Sequence, residues 1–319
     1  MESTPIHALS ENENKESRPG RAWKHIKRDR QLLILFLPCA LFYAIFRYGP
    51  MFGLVMSFQK YGVFLGFMKS PWVGFEHFEK FFGSPDFFVL FKNTLLLGLY
   101  NLLWTFPFPI LFAIFLNEIK NTALKKGIQT VSYLPSFLSI VIVCSMVTDF
   151  LSPGHGIVNT LLKAIGLQPH YFLIDPAWFR TIYIASEIWS GMGYGAIIYL
   201  AALSGIDPSL YEAARVDGCK RFRSIWHITL PSMMPTIATM FILKSGNMFR
   251  IGYEKVLLLY TPTTYKVADV FSTYVYRKGL LETNYSYAAA VGLFESLVAL
   301  VLLLATNRIS KKLSEQSLW

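Results

Sequence analysis

Runs of about 20 apolar residues recur along this chain and leave few ways for it to fold. A helix of that length crosses the ~30 Å hydrocarbon core of a bilayer, and a soluble domain rarely contains several such runs. The composition agrees, because only 16% of the 319 residues are charged, against about a quarter in soluble domains. We therefore predict an all-α, multi-pass membrane protein.

Six apolar runs predict six transmembrane helices. Prolines interrupt some of them, as at Pro38 and Pro107, but neighbouring helices can satisfy the carbonyl groups that a proline leaves free inside a membrane. Residues 156–167 have an amphipathic pattern and are expected to lie along the membrane surface. The predicted spans are residues 32–58, 90–116, 128–150, 178–203, 235–259 and 287–306.

The positions of lysine and arginine predict the orientation, because cytoplasmic loops carry an excess of these residues. Seventeen of the 30 lie in four alternate segments and seven in the three others, so both termini are predicted to be cytoplasmic. The basic balance then needs no nucleic-acid partner. The chain divides into a disordered basic tail (1–30), a membrane domain (31–307) and a short tail (308–319). The predicted cytoplasmic segments are 1–30, 117–127, 204–234 and 307–319, and the predicted external segments are 59–87, 151–177 and 260–286.

Motifs for catalysis or metal binding are missing from the sequence. It has no Gly-x-x-x-x-Gly-Lys-Ser/Thr loop for ATP, no His-Glu-x-x-His and no Cys-x-x-Cys, and its six histidines are scattered. The three cysteines are expected to be free thiols. Gly191, Gly193 and Gly195 lie inside a predicted span, where small residues allow close helix packing. We predict no catalytic residue and no bound metal.

The polar stretch 204–234 is the most distinctive connection between spans. Asp207-Pro208 predicts a helix start, and Gly218 predicts its end. Within this helix, Glu212 offers a carboxylate beside two small residues, Ala213 and Ala214, so another protein can approach its backbone. A Leu-Pro step at 230–231 is expected to stop the segment. On these grounds alone, an ordinary amphipathic helix at the membrane surface fits equally well.

The spacing of residues in this stretch resembles a known motif. Glu212-Ala213-Ala214, Gly218 and Ile228-x-Leu230-Pro231 have the spacing of the EAA motif, which marks the permease subunits of ATP-binding-cassette (ABC) importers. Asp217 and Pro235 match its sugar-importer version. Nearly the whole chain, apart from residues 1–20, resembles oligosaccharide permeases of the LplB type. Further resembling stretches are residues 72–75, 93–96, 199–203, 205–208, 272–277 and 314–319.

This resemblance implies a fold and a set of partners. The fold would be that of a type I ABC importer permease in the bacterial inner membrane, with six transmembrane helices and a coupling loop at 204–234. Residues 208–222 would form a helix that docks on an ABC ATPase dimer, which binds the ATP and Mg, so this chain would hold no cofactor. A second, paralogous permease, an extracytoplasmic solute-binding protein, membrane lipid and an oligosaccharide substrate complete the set. The residues implied in ATPase coupling are Tyr211, Glu212, Ala213, Ala214, Asp217 and Gly218.

The substrate path is predicted from polar residues inside spans, which usually face a cavity. Lys244 and Arg250 fall in the predicted fifth span with Asn247 between them, and Glu187 and Glu295 fall in the fourth and sixth. One interpretation pairs a cation with one of the acids. The other has the cations binding an acidic oligosaccharide, such as a fragment of alginate or another uronate polymer. Four aromatic side chains are further candidates, for stacking on sugar rings: Trp189, Tyr194, Tyr199 and Tyr253.

Two other functions stay open at this stage. The chain could be an importer permease for a non-sugar solute, such as a peptide or a polyamine. It could also be a membrane-integral enzyme or receptor that merely carries a similar loop, in which case it would act without an ATPase.

Overall fold

The computed structural model describes the backbone of residues 30–314 and the side chains of residues 30–308. Nearly all of the predicted tail 1–30, and the end of the tail 308–319, lie outside these residues. Contacts divide the chain into two units, Met1–Leu54 and Val55–Trp319. In the first unit, helix α1 (Arg30–Tyr43) has no buried residue and exposes its apolar side chains, as a helix surrounded by lipid does.

In the described part of the second unit the regular secondary structure is helical, apart from one isolated bridge between Gln59 and Trp72. Single π-helical turns, which are wider than α-helical turns and are called wide turns below, continue several of its helices without a break. Its α-helices are α2 (Gly66–Lys69), α3 (Glu76–Phe82), α4 (Asp86–Tyr100), α5 (Pro107–Glu118), α6 (Thr122–Tyr133), α7 (Ile140–Leu151), α8 (Ile157–Ala164), α9 (Pro176–Ser204), α10 (Pro208–Val216), α11 (Arg221–Ser224), α12 (Leu230–Gly246), α13 (Tyr253–Leu259), α14 (Tyr265–Ala268), α15 (Phe271–Tyr276) and α16 (Tyr285–Ser314).

Within the described residues, four continuous helical stretches are long and apolar enough to cross a membrane, and six if each of two bent pairs counts as one span. The bent pairs are Thr122–Phe137 with Ile140–Leu151, and Pro176–Ser204 with Pro208–Val216. The four continuous stretches are Arg30–Phe58, Asp86–Glu118, Arg221–Gly246 and Tyr285–Arg308.

The predicted third span, 128–150, is wrong as a continuous helix. Helix α6 already begins at Thr122, inside the predicted loop 117–127, because Asn121 caps it by accepting the Leu124 N–H at 3.1 Å. The chain then turns through 105° between residues 137 and 140. Leu138 and Ser139 are extended there, and Ser139 caps α7. Local capping therefore divides an apolar run that composition alone reads as one helix.

The predicted fifth span, 235–259, is also placed wrongly. The helix starts at Arg221 and ends at Gly246, and α13 follows only after the turn at residues 247–252. Leu230-Pro231 is therefore no stop. A π-helical turn at Ile225–Thr229 precedes it, and the helix continues through Pro231 into α12.

Helix α9 packs closely on its neighbours through two of the three predicted glycines. A Cβ on Gly193 would overlap the backbone carbonyl of Ser132, and a Cβ on Gly195 would press on the Pro109 ring. Gly191 has open space instead. These close approaches fix α9 against α5 and α6 and leave a gap beside Gly191. Helix α8 forms where the amphipathic pattern predicts it.

A buried asparagine joins α4 to the segment before α16. The Asn93 side-chain amide donates 3.1 Å hydrogen bonds to the carbonyls of Lys266 and Asp269, and its oxygen accepts one from Arg180 on α9 at 3.0 Å. Asp269 in turn forms a salt bridge with Arg277. Below this network, apolar side chains such as Leu97, Tyr183 and Val256 form a buried cluster.

Candidate functional sites

The polar loop contains a helix, α10, with a defined start. The Asp207 carboxylate accepts the Ser209 N–H at 2.9 Å, and Pro208 occupies the first helical position. The same backbone hydrogen bond holds the pKa of the Asp207 carboxyl below its ordinary value. Because that pKa is lowered, the cap is fully present at neutral pH and is lost only as the pH falls through it.

Its end is equally well defined. Gly218 adopts a φ of +73°, a left-handed conformation that glycine adopts without strain. The Cys219 N–H donates to the Ala214 carbonyl at 2.8 Å and the Gly218 N–H to the Arg215 carbonyl at 3.0 Å, which is the Schellman pattern. The predicted helix 208–222 therefore ends at Val216, because the chain reverses at Gly218.

One face of α10 is open for a partner. Glu212 and Ala213 are exposed, and within the part of the chain with described side chains Glu212 has no hydrogen bond or ion pair. Val216, the last residue of α10, and Phe222, on the following helix α11, are 88% and 79% exposed, which is unusual for apolar side chains outside lipid. On the other face, the Tyr211 hydroxyl lies 3.0 Å from the Thr229 hydroxyl. The arrangement can bind another protein outside and transmit its movement inward.

A cleft of about 580 Å³ separates α10 from the end of α5. It contains both acidic and basic side chains. Its lining residues are Asn117, Glu118, Lys120, Pro208, Tyr211, Glu212, Ala214, Arg215, Cys219, Arg221 and Ser224.

A second cavity, of about 440 Å³, lies between α4, α5, α9 and the end of α12. We call it the polar cavity. Four of the predicted substrate-path residues line it together: Glu187, Lys244, Asn247 and Arg250. Its remaining lining includes Gly98, Asn101, Thr105, Tyr183, Gly191 and Gly252.

Hydrogen bonds fix the polar groups of this cavity. The Lys244 ammonium donates to the Thr105 hydroxyl at 2.5 Å. That hydroxyl lies 2.7 Å from both the carbonyl and the side-chain oxygen of Asn101 and donates its proton to this pair of acceptors. Glu187 forms a salt bridge at 2.8 Å with Lys255 of α13. Neither predicted pairing of Glu187, with Lys244 or with Arg250, is the one observed.

Arg250 lies outside a helix, contrary to the prediction that places it in the fifth span. It follows a turn closed by its own N–H and the Asn247 carbonyl, and it is exposed. No salt bridge to Arg250 occurs among the side chains of residues 30–308, although Glu295 is close enough to act on it electrostatically. Its guanidinium is therefore available at the cavity.

The four predicted stacking aromatics do not line the polar cavity. Tyr199 is buried in an apolar cluster. Trp189 borders a separate apolar groove of about 510 Å³. Tyr194 is exposed beside Phe137, and Tyr253 stacks on Tyr276 at 5.2 Å.

Sequence reasoning missed two polar residues that line this cavity, Asn101 and Thr105, and the lysine that pairs with its lining Glu187, Lys255. The i, i+4 spacing of Asn101 and Thr105 inside an apolar span was a usable signal. Lys255 precedes Val-Leu-Leu-Leu, where a lysine needs a buried partner. Its partner could not be identified from sequence, since 68 residues separate them. Among the described residues, no group of three His, Cys, Asp or Glu side chains could hold a metal.

The chain belongs to the family of binding-protein-dependent transport system inner membrane components, whose pattern it matches over residues 88–315. It is therefore a multi-pass membrane component of an ABC transporter. The helical architecture described above is that of the type I ABC importer permeases.

Particular relatives agree with this assignment. The chain is 42% identical to Protein LplB of Bacillus subtilis, over 94% of this chain and 95% of that protein. It is 43% identical to the polygalacturonan/rhamnogalacturonan transport system permease protein YteP of the same organism, over 96% and 95%. A solved bacterial ABC transporter involved in the import of the acidic polysaccharide alginate contains a similar chain, with a TM-score of 0.85 and 46% identity over 92% of this chain and 99% of that chain.

Proposed function

We propose that this chain is one permease subunit of an ATP-driven importer of oligosaccharides. It crosses the bacterial inner membrane six times, each bent pair forming one span, with both termini in the cytoplasm. The uneven distribution of lysine and arginine supports this topology. The permease domain is 31–307, with the coupling loop at 204–234, between the basic tail 1–30 and the short tail 308–319.

Coupling to ATP runs through α10. Its exposed face docks on an ABC ATPase dimer, with Glu212 facing cationic groups of that partner, and Ala213 and Ala214 allowing close approach. Asp217 and Gly218 end the helix, and Tyr211 connects it to the fifth span. The ATPase binds ATP and Mg, so this chain holds no cofactor and no catalytic group. A second, paralogous permease and an extracytoplasmic binding protein complete the transporter.

The substrate is an acidic oligosaccharide. The observation that carries this proposal is the polar cavity, which both Lys244 and Arg250 line, while Glu187 is the one acid among the lining residues that the structure describes. Carboxylates are attracted to such a site, and a polyamine is repelled. A peptide is not excluded by charge, but the names of the relatives favour sugars: YteP is a polygalacturonan/rhamnogalacturonan permease, and the solved transporter imports alginate. That transporter has also been solved in complex with an alginate pentasaccharide-bound periplasmic protein.

Uptake by the reconstituted transporter tests the proposal. Vesicles containing both permeases and the ATPase are expected to import a uronate oligosaccharide only with ATP and the binding protein. Glu212→Lys is expected to abolish binding-protein-stimulated ATP hydrolysis, whereas Glu76→Lys, at an exposed position on α3, is expected to leave it unchanged. Uptake of no oligosaccharide, or full activity of Glu212→Lys, would contradict the proposed function.

Substrate charge is tested separately. Arg250→Ala is expected to lower uptake of an acidic oligosaccharide roughly tenfold more than that of a neutral one, since one charge contact at the cavity is lost. Equal losses for both sugars would mean that Arg250 has a structural role.

A further inference from the structure

We propose that Lys255, which does not line the polar cavity, determines its selectivity for acidic sugars by neutralising Glu187 from behind. This inference rests on the proposed function, because it concerns the charge that the substrate meets. Lys255 is a positioning residue: it acts through Glu187 and leaves Lys244 and Arg250 free for carboxylates.

Among the side chains that the structure describes, Lys255 has one ionic partner, Glu187. Its side chain is 5% exposed, its ammonium lies 2.8 Å from the Glu187 carboxylate, and it stands 4.9 Å from the centre of the Tyr183 ring. A buried ammonium is costly unless it is paired, so this salt bridge is retained. Glu187 is 32% exposed and faces the polar cavity, so one carboxylate separates Lys255 from the substrate path.

The lining cations are not taken up by Glu187. Lys244 donates to Thr105, a neutral partner, and Arg250 has no salt bridge among the described side chains. Glu295 acts on Arg250 only at longer range and does not line the cavity. With Glu187 paired to Lys255, both cations present their charge to the cavity.

Removing Lys255 alone would change the charge that the cavity wall presents to the substrate. Glu187 would then keep an uncompensated negative charge on the cavity wall, where it already acts electrostatically on Lys244. It would repel the carboxylates of the substrate and attract the cations that should bind them. Removing both charges of the pair would instead leave Lys244 and Arg250 as before. A purely structural salt bridge would lower uptake of the acidic and the neutral sugar alike on loss of Lys255 and leave their ratio unchanged.

Three variants test the proposal: Lys255→Met, the double variant with Lys255→Met and Glu187→Gln, and Lys255→Arg. A matched control is Lys278→Met, which breaks the exposed Lys278–Glu282 salt bridge at 2.7 Å away from the cavity. The measurement is uptake of a uronate trisaccharide and of its carboxyl-reduced, neutral counterpart by the complete transporter. Each rate is normalised to the affinity of the binding protein for that sugar.

We expect Lys255→Met to lower the acidic-to-neutral uptake ratio roughly tenfold. The double substitution is expected to return the ratio to within about twofold of the wild-type value, and Lys255→Arg and the control are expected to keep it. If the single variant fails to assemble, the double variant decides, because it lacks any unpaired charge. Loss of acidic preference in the double variant would overturn the proposal, as would an unchanged ratio in an assembled Lys255→Met transporter.

The outcome for the wild type separates this inference from the function on which it rests. A wild-type transporter that imports both sugars equally would contradict the proposed acidic substrate, and the role of Lys255 with it. If the wild type prefers the acidic sugar and the Lys255→Met variant prefers it to the same extent, only the role of Lys255 is contradicted.

Discussion

The Tyr211 hydroxyl lies 3.0 Å from the Thr229 hydroxyl, which is buried at the wide turn leading into α12. This hydrogen bond joins the exposed helix α10 to a membrane span without passing through the chain reversal at Gly218. A push on α10 is therefore applied directly to the helix that carries Lys244. Within the proposed mechanism, the contact is a point where force from the ATPase enters the membrane.

We predict that Tyr211→Phe lowers transport several-fold more than it lowers basal ATP hydrolysis. The substitution removes one hydroxyl and keeps the ring, so assembly should persist while movement of α12 becomes less strictly linked to α10. A hydrogen bond of this kind contributes about 1 kcal/mol. The measurement is the ratio of sugar imported to ATP hydrolysed in vesicles.

The matched control is Tyr171→Phe, at an exposed tyrosine far along the chain from α10. It should leave the transport ratio unchanged. A double-mutant cycle of Tyr211→Phe with Thr229→Val should give an interaction energy of about 0.5–1.5 kcal/mol. Additive effects would show that the two hydroxyls act independently.

Two neighbouring glycines on α9 should respond differently to alanine. A Cβ at Gly193 would overlap the Ser132 carbonyl, whereas nothing lies within 4 Å of a Cβ at Gly191. We predict that Gly193→Ala destabilises the protein by about 1–3 kcal/mol, because backbone must move to admit the methyl group. Gly191→Ala should have almost no effect on stability. Thermal unfolding of the purified protein distinguishes them, and equal midpoints would contradict the close packing.

Asn93 should be essential for holding the segment before α16. Asn93→Ala leaves the partly buried Lys266 carbonyl and the buried Asp269 carbonyl without this donor and removes the acceptor of Arg180. We predict a loss of about 2–4 kcal/mol in stability, since unpaired buried polar groups are costly. Faster proteolysis within residues 260–284 should accompany it. Lys92→Ala, an exposed neighbour on the same helix, is the control and should behave as the wild type.

Sequence patterns correctly predicted the helices whose ends are set by residues close to them in the chain. Asp207-Pro208 and Gly218 predict the two ends of α10, because capping depends on side chains and φ values within a few residues. The amphipathic pattern predicts α8 for the same reason. The break at residues 137–140 was missed because apolar composition continues while the helix bends. The turn at residues 225–229 was missed because it continues a helix inside a stretch that was predicted to be a polar loop.

The sequence by itself determined that this is a helical membrane protein of the permease family and where its exposed polar helix, α10, begins and ends. Hydrophobic length, charge bias and motif spacing are read along the chain, so no contact is needed to see them. Only the tertiary structure decided that Glu187 pairs with Lys255, that Lys244 binds Thr105 and that the predicted aromatics lie away from the polar cavity. Those partners are 68 and 139 residues apart, and their choice depends on how the helices pack.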